Sequence, residues 1–353
     1  MFAKDSLLRI YAFSTTVSLA LIAYVAFQSG PSALVLVLIL AALEITFSFD
    51  NAVINAKILK NMTRAWQQAF LTVGIIIAVF GVRVILPVLI VASASGLSIG
   101  GVIDLALNNP DEYGHKLEAA HPTIASFGGM FLLMIFLDFI FTERPTKWIK
   151  PLEHAFAKAG RLASASVLVA VGVLLSVASM AHGEERSTVL VSGLFGIFIY
   201  LLIRSLDGLL RSTGVEKNLK SGAVTKMTFK AGLISFLYLE VIDASFSLDG
   251  VIGAFAITNQ ILIIAVGLGI GALYVRTITV HMLRRGVLEQ YKYLDHGAHY
   301  AIGILATLML VSLHVEVSEA VTGLSGMLFV ITALTHSYLE AKSDKKKLSA
   351  KKA

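Results

Sequence analysis

The chain has 353 residues, of which 56% are apolar and only 15% charged, with a mean hydropathy of +0.80. A soluble domain carries roughly 25% charged residues, so this composition excludes a water-covered two-domain protein and points to membrane. Cysteine is absent, which excludes disulfide frameworks, thiolate metal sites, iron–sulfur clusters and thiol nucleophiles; the net charge of +6 would suit nucleic acid only if it were gathered in one place.

A membrane-crossing helix needs about 20 mainly apolar residues. Ten stretches reach or approach that length, at 7–28, 33–58, 67–92, 123–142, 163–181, 188–209, 228–257, 260–283, 298–314 and 322–341. They lack the two-residue alternation of barrel strands. The predicted fold class is therefore all-α, a polytopic transmembrane bundle of about ten helices. Lys4 and Arg9 precede the first apolar run as in a secretory signal, but the run is long, and Tyr24 stands where cleavage after Ala26 wants a small residue. A retained first helix is expected. Pro87 inside the third stretch predicts a kink. The apolar piece at 97–107, within the long connection 93–122, is too short to span; it is expected to lie on the surface or to re-enter. Residues 1–342 read as a single transmembrane domain and 343–353 (SDKKKLSAKKA) as a basic, disordered tail.

The basic residues test this count. Numbering the connections alternately, 24 of the 29 Lys and Arg fall on one side, two (Lys116 and Arg186) on the other, and three (Arg83, Arg204 and Arg276) inside helices. Such a split is what the positive-inside rule demands of ten helices with both ends cytoplasmic. Basic loops spread along one membrane face suit anionic lipid headgroups, and nucleic acid is excluded as a partner.

The acids inside the helices are the informative residues, since each costs about 2.5–3.5 kcal/mol at a helix centre. The second stretch contains LEITFSFDNAVINA, with Glu44, Ser48, Asp50, Asn51 and Asn55; the seventh contains LEVIDASFSLDGVIGA, with Glu240, Asp243, Ser247, Asp249 and Gly250. Aligning SFDN with SLDG matches Ser48 to Ser247, Asp50 to Asp249 and Glu44 to Asp243, and leaves Glu240 extra. Asn51 is matched by Gly250, so the two halves do not offer equivalent ligand sets. The following helices each carry one arginine, Arg83 and Arg276. The repeat has a period of five helices, an odd number, so its halves (about 7–181 and 188–341) run in opposite directions. That is the pattern of inverted-repeat secondary transporters, whose sites lie near the bilayer midplane.

At about 100° per residue Glu44, Ser48, Asn51 and Asn55 share a face, while Asp50 and Asp249 point roughly 120° away. Either these two aspartates face a different neighbour or each helix unwinds around them; local unwinding at both motifs is the favoured expectation, and it would free carbonyl oxygens as further ligands. Five acids (Glu44, Asp50, Glu240, Asp243 and Asp249) face two arginines, so three negative charges must be met by cations or protons. One divalent ion and one proton close that balance. Carboxylate, amide and hydroxyl oxygens suit Mn²⁺, Ca²⁺ or Mg²⁺.

The paired motifs FSFDNAV and FSLDGVI, each preceded by an acid, resemble the TerC family of integral membrane proteins. The wider similarity, through GGMFLLMIFLDF, DHGAHYAIG and the span from His314 to Glu319, is to a poorly characterised branch of that family and covers roughly residues 30–340. The resemblance implies metal binding by Glu44, Asp50, Asn51, Asp243 and Asp249, and manganese export, the activity of the family's better-studied members. Glu240, Ser48, Ser247, Asn55, Arg83 and Arg276 would support those ligands or hold a proton. Weaker candidates are Asp138 at a helix end, and His314 and Glu316 as an outer gate; a hydrated helix end and a solvated loop are their plainer readings. His121, His182 and His299 have no evident partner. Close packing accounts for Gly128, Gly129, Gly267, Gly269 and Gly271.

The reading is a divalent-metal exporter of the cell (inner) membrane, with protons as the candidate coupling ion, no resident cofactor and no enzymatic activity. Competing classes are a membrane assembly or metalation factor beside the secretion machinery, and an intramembrane acid–base enzyme; contact with a translocon and homo-oligomer formation stay open. The topology is directly measurable, because the chain is free of cysteine. Single cysteines at 150–160 and in the tail should be protected from an impermeant thiol reagent in intact cells, and one at 110–116 should react. Protection at 110–116 would defeat both the ten-helix count and the inverted repeat.

Overall fold

A computed structural model describes residues 7–162, 164–214, 229–258 and 260–352, and among these the regular structure is helical throughout. The first helix, α1, is assigned over Leu7–Phe47, but Gly30 inside it has φ 81° and ψ −179°. Gly tolerates that positive φ, and Pro31 behind it cannot continue the hydrogen-bond ladder. The chain turns back here. Ser14 Oγ lies 2.6 Å from Thr277 Oγ1, while Glu44 lies against Gly271, within two turns of Thr277 on the same helix. A straight rod would hold residues 14 and 44 about 45 Å apart. The two predicted stretches 7–28 and 33–58 are thus the arms of a hairpin.

After Ser48 the second arm continues as α2 (Phe49–Lys60). The third stretch is α3 (Arg64–Ile76), a π-helical segment (Ile77–Ile85) and α4 (Leu86–Ser95). Pro87 has no N–H for the carbonyl four residues earlier, and the wider turn just before it accommodates the loss. The connection that follows forms two short helices, α5 (Ile99–Asn108) and α6 (Pro110–Ala119). Tyr113 of α6 is buried against Phe255, ring centroids 5.6 Å apart, and burial pushes its hydroxyl pKa up to about 12. This connection is therefore a lid packed on the bundle.

Next come α7 (His121–Ile140), the short α8 (Lys150–Ala159), α9 (Ala165–Met180) and α10 (Gly183–Gly214). The second half holds α11 (Phe229–Ile257), α12 (Ile261–Arg285), α13 (Val287–Gln290), α14 (Leu294–Val311) and α15 (Glu319–Lys352). The tail expected to be disordered continues α15 in helical form to Lys352. Its Lys, Ala and Leu are good helix formers, and lysines suit a helix C-terminus.

Six stretches among the described residues are long and apolar enough to cross a membrane: Ile10–Phe47, Arg64–Ser93, His121–Ile140, Gly183–Leu206, Ile261–Arg285 and Leu294–Val311. Phe13, Phe80, Phe198 and Leu328 each leave more than half their surface uncovered. Water would penalise that surface and lipid would not. The protein is membrane-embedded.

Two helices form the centre. On α7, Met130, Phe131, Leu132 and Met134 are wholly buried among α10, α11 and α14. On α12, Gly267 and Gly271 let Leu40 and Glu44 of α1 approach its backbone. Gly128 and Gly129 do the same for Met309 and Leu310 of α14, so these glycines serve close packing as expected. A Cβ at Gly129 would stand 3.0 Å from Leu310. Gly129→Leu should destabilise the fold by about 1–3 kcal/mol, read as a lower melting temperature in detergent. Gly172→Leu, where a Cβ meets nothing within 4 Å, should leave that temperature unchanged.

Candidate functional site

The two acidic motifs meet where α2 crosses α11 near the middle of the bundle. They do not share a backbone form. The first helix breaks at Ser48 (φ −97°, ψ 15°) and resumes as α2, with the Asn51 N–H donating to Asp50 Oδ1 at 2.9 Å. The second motif lies inside α11, which is helical from Phe229 to Ile257. Unwinding expected at both motifs is found at the first alone. A full set of intrahelical bonds costs less inside a membrane than a second break.

Glu44 of the first motif, and Glu240 and Asp243 of the second, are met by the arginine of the long helix that follows. Arg83, carried by the π segment, donates through Nη2 to Glu44 and through Nη1 to the Ala78 carbonyl at 2.6 Å. Ser48 Oγ donates to the same Glu44 oxygen at 3.0 Å. In the second half Arg276 Nη2 lies 3.1 Å from Glu240 Oε2 and 3.3 Å from Asp243 Oδ2. Its Nη1 donates to the Phe70 carbonyl at 2.8 Å, and the guanidinium lies 4.0 Å over the Phe70 ring. Gly74 makes room, since a Cβ there would stand 2.7 Å from Glu240 Oε1. The motifs themselves are joined by Asn51 Nδ2, which donates to Asp243 Oδ1 at 2.7 Å. All these side chains are buried.

Asp50 differs. It is buried, with no cationic partner among the described residues, and its Oδ2 reaches α15 where Gly326 leaves space. The side chain of Asp249 lies outside the described residues. A cavity of about 150 Å³ has Glu44, Ser48, Asp50 and Gly250 on its floor. Its walls are mostly apolar, including Leu40, Phe246 and Met309, and His121, Ser312 and Thr322 stand toward the end opposite the basic loops.

Several buried polar atoms have no hydrogen-bond partner among the described residues: Asn51 Oδ1, both amide atoms of Asn55, and Ser247 Oγ. Leaving such a group unmade costs about 1–3 kcal/mol, so a cation or water held among them would be stabilised. Among the described residues no three Asp, Glu or His side chains converge closely enough to ligate one metal ion. The oxygen donors at the cavity floor are Glu44, Ser48 and Asp50.

Asp138 and His314, two of the weaker candidates, have structural partners. Asp138 accepts from the Tyr200 hydroxyl at 2.5 Å and pairs with Arg204, which ties α7 to α10. His314 Nε2 lies 3.0 Å from the Val177 carbonyl, and Glu316 is exposed. His121 Nε2 lies 3.2 Å from Ser312 Oγ.

A second polar network, at the basic end, escaped the sequence reading. Lys57 at the end of α2 pairs with Asp295 at 2.5 Å, and Asp295 lies 3.2 Å from His299. His299, expected to lack a partner, also stacks on Phe139. Glu153 of α8 is buried and accepts from the Trp148 and Ile149 N–H groups and the Tyr300 hydroxyl. The four-residue spacing of Asp295 and His299 on one helix face was an available signal; nothing in KPLEHAF marks Glu153 as buried.

Among known proteins, a family model described as "Protein of unknown function (DUF475)" matches residues 49–344. No curated protein and no solved structure matches the chain, and the resemblance to the TerC family finds no family match. The DUF475 match takes in α2 with Asp50 and Asn51, both arginines and all of the second motif, and the chain belongs to the DUF475 family.

Proposed function

We propose that the protein is a secondary transporter that carries a divalent cation, manganese first among the candidates, through the crossing of α2 and α11. The observation that carries this reading is the cavity that enters from one end and terminates on Glu44, Ser48 and Asp50 between the two motif helices. A ten-helix inverted repeat is supported by packing. The helix arm ending in α2 lies against α11, α12 and α14, its counterparts two, three and four places into the second half. Reciprocally, α11 lies against α2, the α3–π segment and α7. Exchanging the halves preserves these neighbours, as a two-fold axis in the membrane plane requires.

The charge balance supports a cation as cargo. Arg83 offsets Glu44, and Arg276 is shared by Glu240 and Asp243. Asp50 and Asp249 add two further carboxylates, so a divalent ion and one proton neutralise the set. Hard oxygen donors select Mn²⁺, Ca²⁺ or Mg²⁺. With the basic loops cytoplasmic, the cavity opens outward, and the Lys57–Asp295 and Glu153 contacts close the other end. That arrangement suits release in export from the cytoplasm across the cell membrane, with protons as counter-substrate.

Flux into proteoliposomes across Mn²⁺, Ca²⁺ and Mg²⁺ tests the reading. Asp50→Asn and Asp249→Asn should each reduce flux to background while the purified protein stays monodisperse, because each keeps shape and removes a charged oxygen. Near-normal flux in both would make the motif acids structural.

Binding should also release protons and weaken as the pH falls, since acid protonates the carboxylates that the ion needs. Glu240 and Asp243 compete for one arginine, so Glu240→Gln should flatten this pH dependence more than it lowers affinity. Affinity independent of pH between about 5.5 and 8, with no proton release by calorimetry, would reject proton exchange.

A further inference from the structure

The two motifs differ at one aligned position, Asn51 against Gly250, and the structure gives that difference a geometric meaning. Asn51 projects from the first motif onto Asp243, the acid of the second, and covers Oδ1 with an amide donor at 2.7 Å. Residue 250 is placed equivalently in the other direction. A Cβ at Gly250 would have one neighbour within 4 Å, Glu44 Oε2 at 3.3 Å. Glu44 is the residue that aligns with Asp243. Where the first motif sends the Asn51 side chain to cap the opposite acid, residue 250 of the second motif has no side chain to send.

The cavity occupies the side left open. Gly250 and Glu44 both line it, whereas Asn51 and Asp243 are absent from its lining. Ala254 and Ile257, further along the same helix, continue the wall toward the lid end. The cavity thus follows one face of α11 inward from Ile257 past Gly250 to Phe246, and passes Glu44 where residue 250 lacks a side chain.

We infer that Gly250 determines access: its missing side chain exposes Glu44 to whatever enters the cavity, while Asn51 seals the pseudo-equivalent acid Asp243. Cargo therefore meets Glu44, Ser48 and Asp50 first, and Asp243 with Arg276 holds the crossing together behind them. An asparagine at 250 would give Glu44 the amide donor that Asp243 already has, and would fill the cavity floor. This inference deepens the transport reading and rests on it for the identity of the cargo; the access itself can be measured without transport.

The test uses thiol labelling. Ser48→Cys places a near-isosteric thiol at the cavity floor of a chain with no other cysteine. Methyl methanethiosulfonate should modify it in the purified full-length protein. Adding Gly250→Asn should slow that modification about tenfold or more, with Gly250→Ala intermediate. Where Gly250→Asn fails to fold by size exclusion, Gly250→Ala decides the matter. In the reciprocal experiment Ser247→Cys, buried beyond the cavity, should be unreactive and should become reactive with Asn51→Gly.

A labelling rate of the Ser48→Cys protein that is indifferent to residue 250 overturns the inference. Labelling blocked by Gly250→Asn, in a protein that carries no Mn²⁺, Ca²⁺ or Mg²⁺, upholds it and overturns the transport reading instead. In a protein that does carry the ion, Gly250→Asn should abolish flux, and undiminished flux would overturn the inference.

Discussion

The structure depends on two arginines buried in a medium that cannot solvate them. A lone guanidinium or carboxylate inside a membrane is costly, and removing one partner of a buried pair leaves the other uncompensated. Arg83 therefore fixes the π segment against Glu44, and Arg276 fixes α12 against Glu240 and Asp243. These contacts set where the motif helices can lie. The glycines at 74, 267 and 271 are consequences of the same demand, because each clears the space in which an acid, an arginine or a neighbouring helix must fit.

Polarity is distributed unevenly along the bundle axis. At the lid end the space between the motif helices is walled by Leu, Phe and Met down to Glu44 and Asp50. At the basic end the same helices are tied by Lys57, Asp295, His299 and the buried Glu153. An apolar wall discourages standing water, and a network of charged hydrogen bonds resists opening.

Much of this was legible in the sequence, for reasons that differ by residue. Apolar run length located the long helices because the membrane imposes a minimum span. The pairing of Arg83 and Arg276 with motif acids was legible because charge in hydrocarbon must be matched. The fate of the backbone at the motifs was not. SFDN and SLDG are nearly the same letters, yet one helix breaks and the other continues. The contact of Asn51 with Asp243 arises only once α2 and α11 approach, so no local pattern encodes it. Glu153 sat in a loop whose composition reads as solvated, and its burial follows from the docking of α8, a tertiary event.

The break at Ser48 has an electrostatic consequence. It makes Phe49 the first residue of a new helix and puts Asp50 in the first turn. Backbone N–H groups without intrahelical acceptors cluster at such a terminus and carry about half a positive charge. Asp50 draws on that partial charge and has no basic partner among the described residues. Within the unbroken α11 no free N–H groups are available, and Glu240 and Asp243 depend on a whole guanidinium instead. The first motif obtains part of its positive potential from the backbone and the second from a side chain, so two motifs that share their serine and aspartate leave their acids with different amounts of charge still to be neutralised.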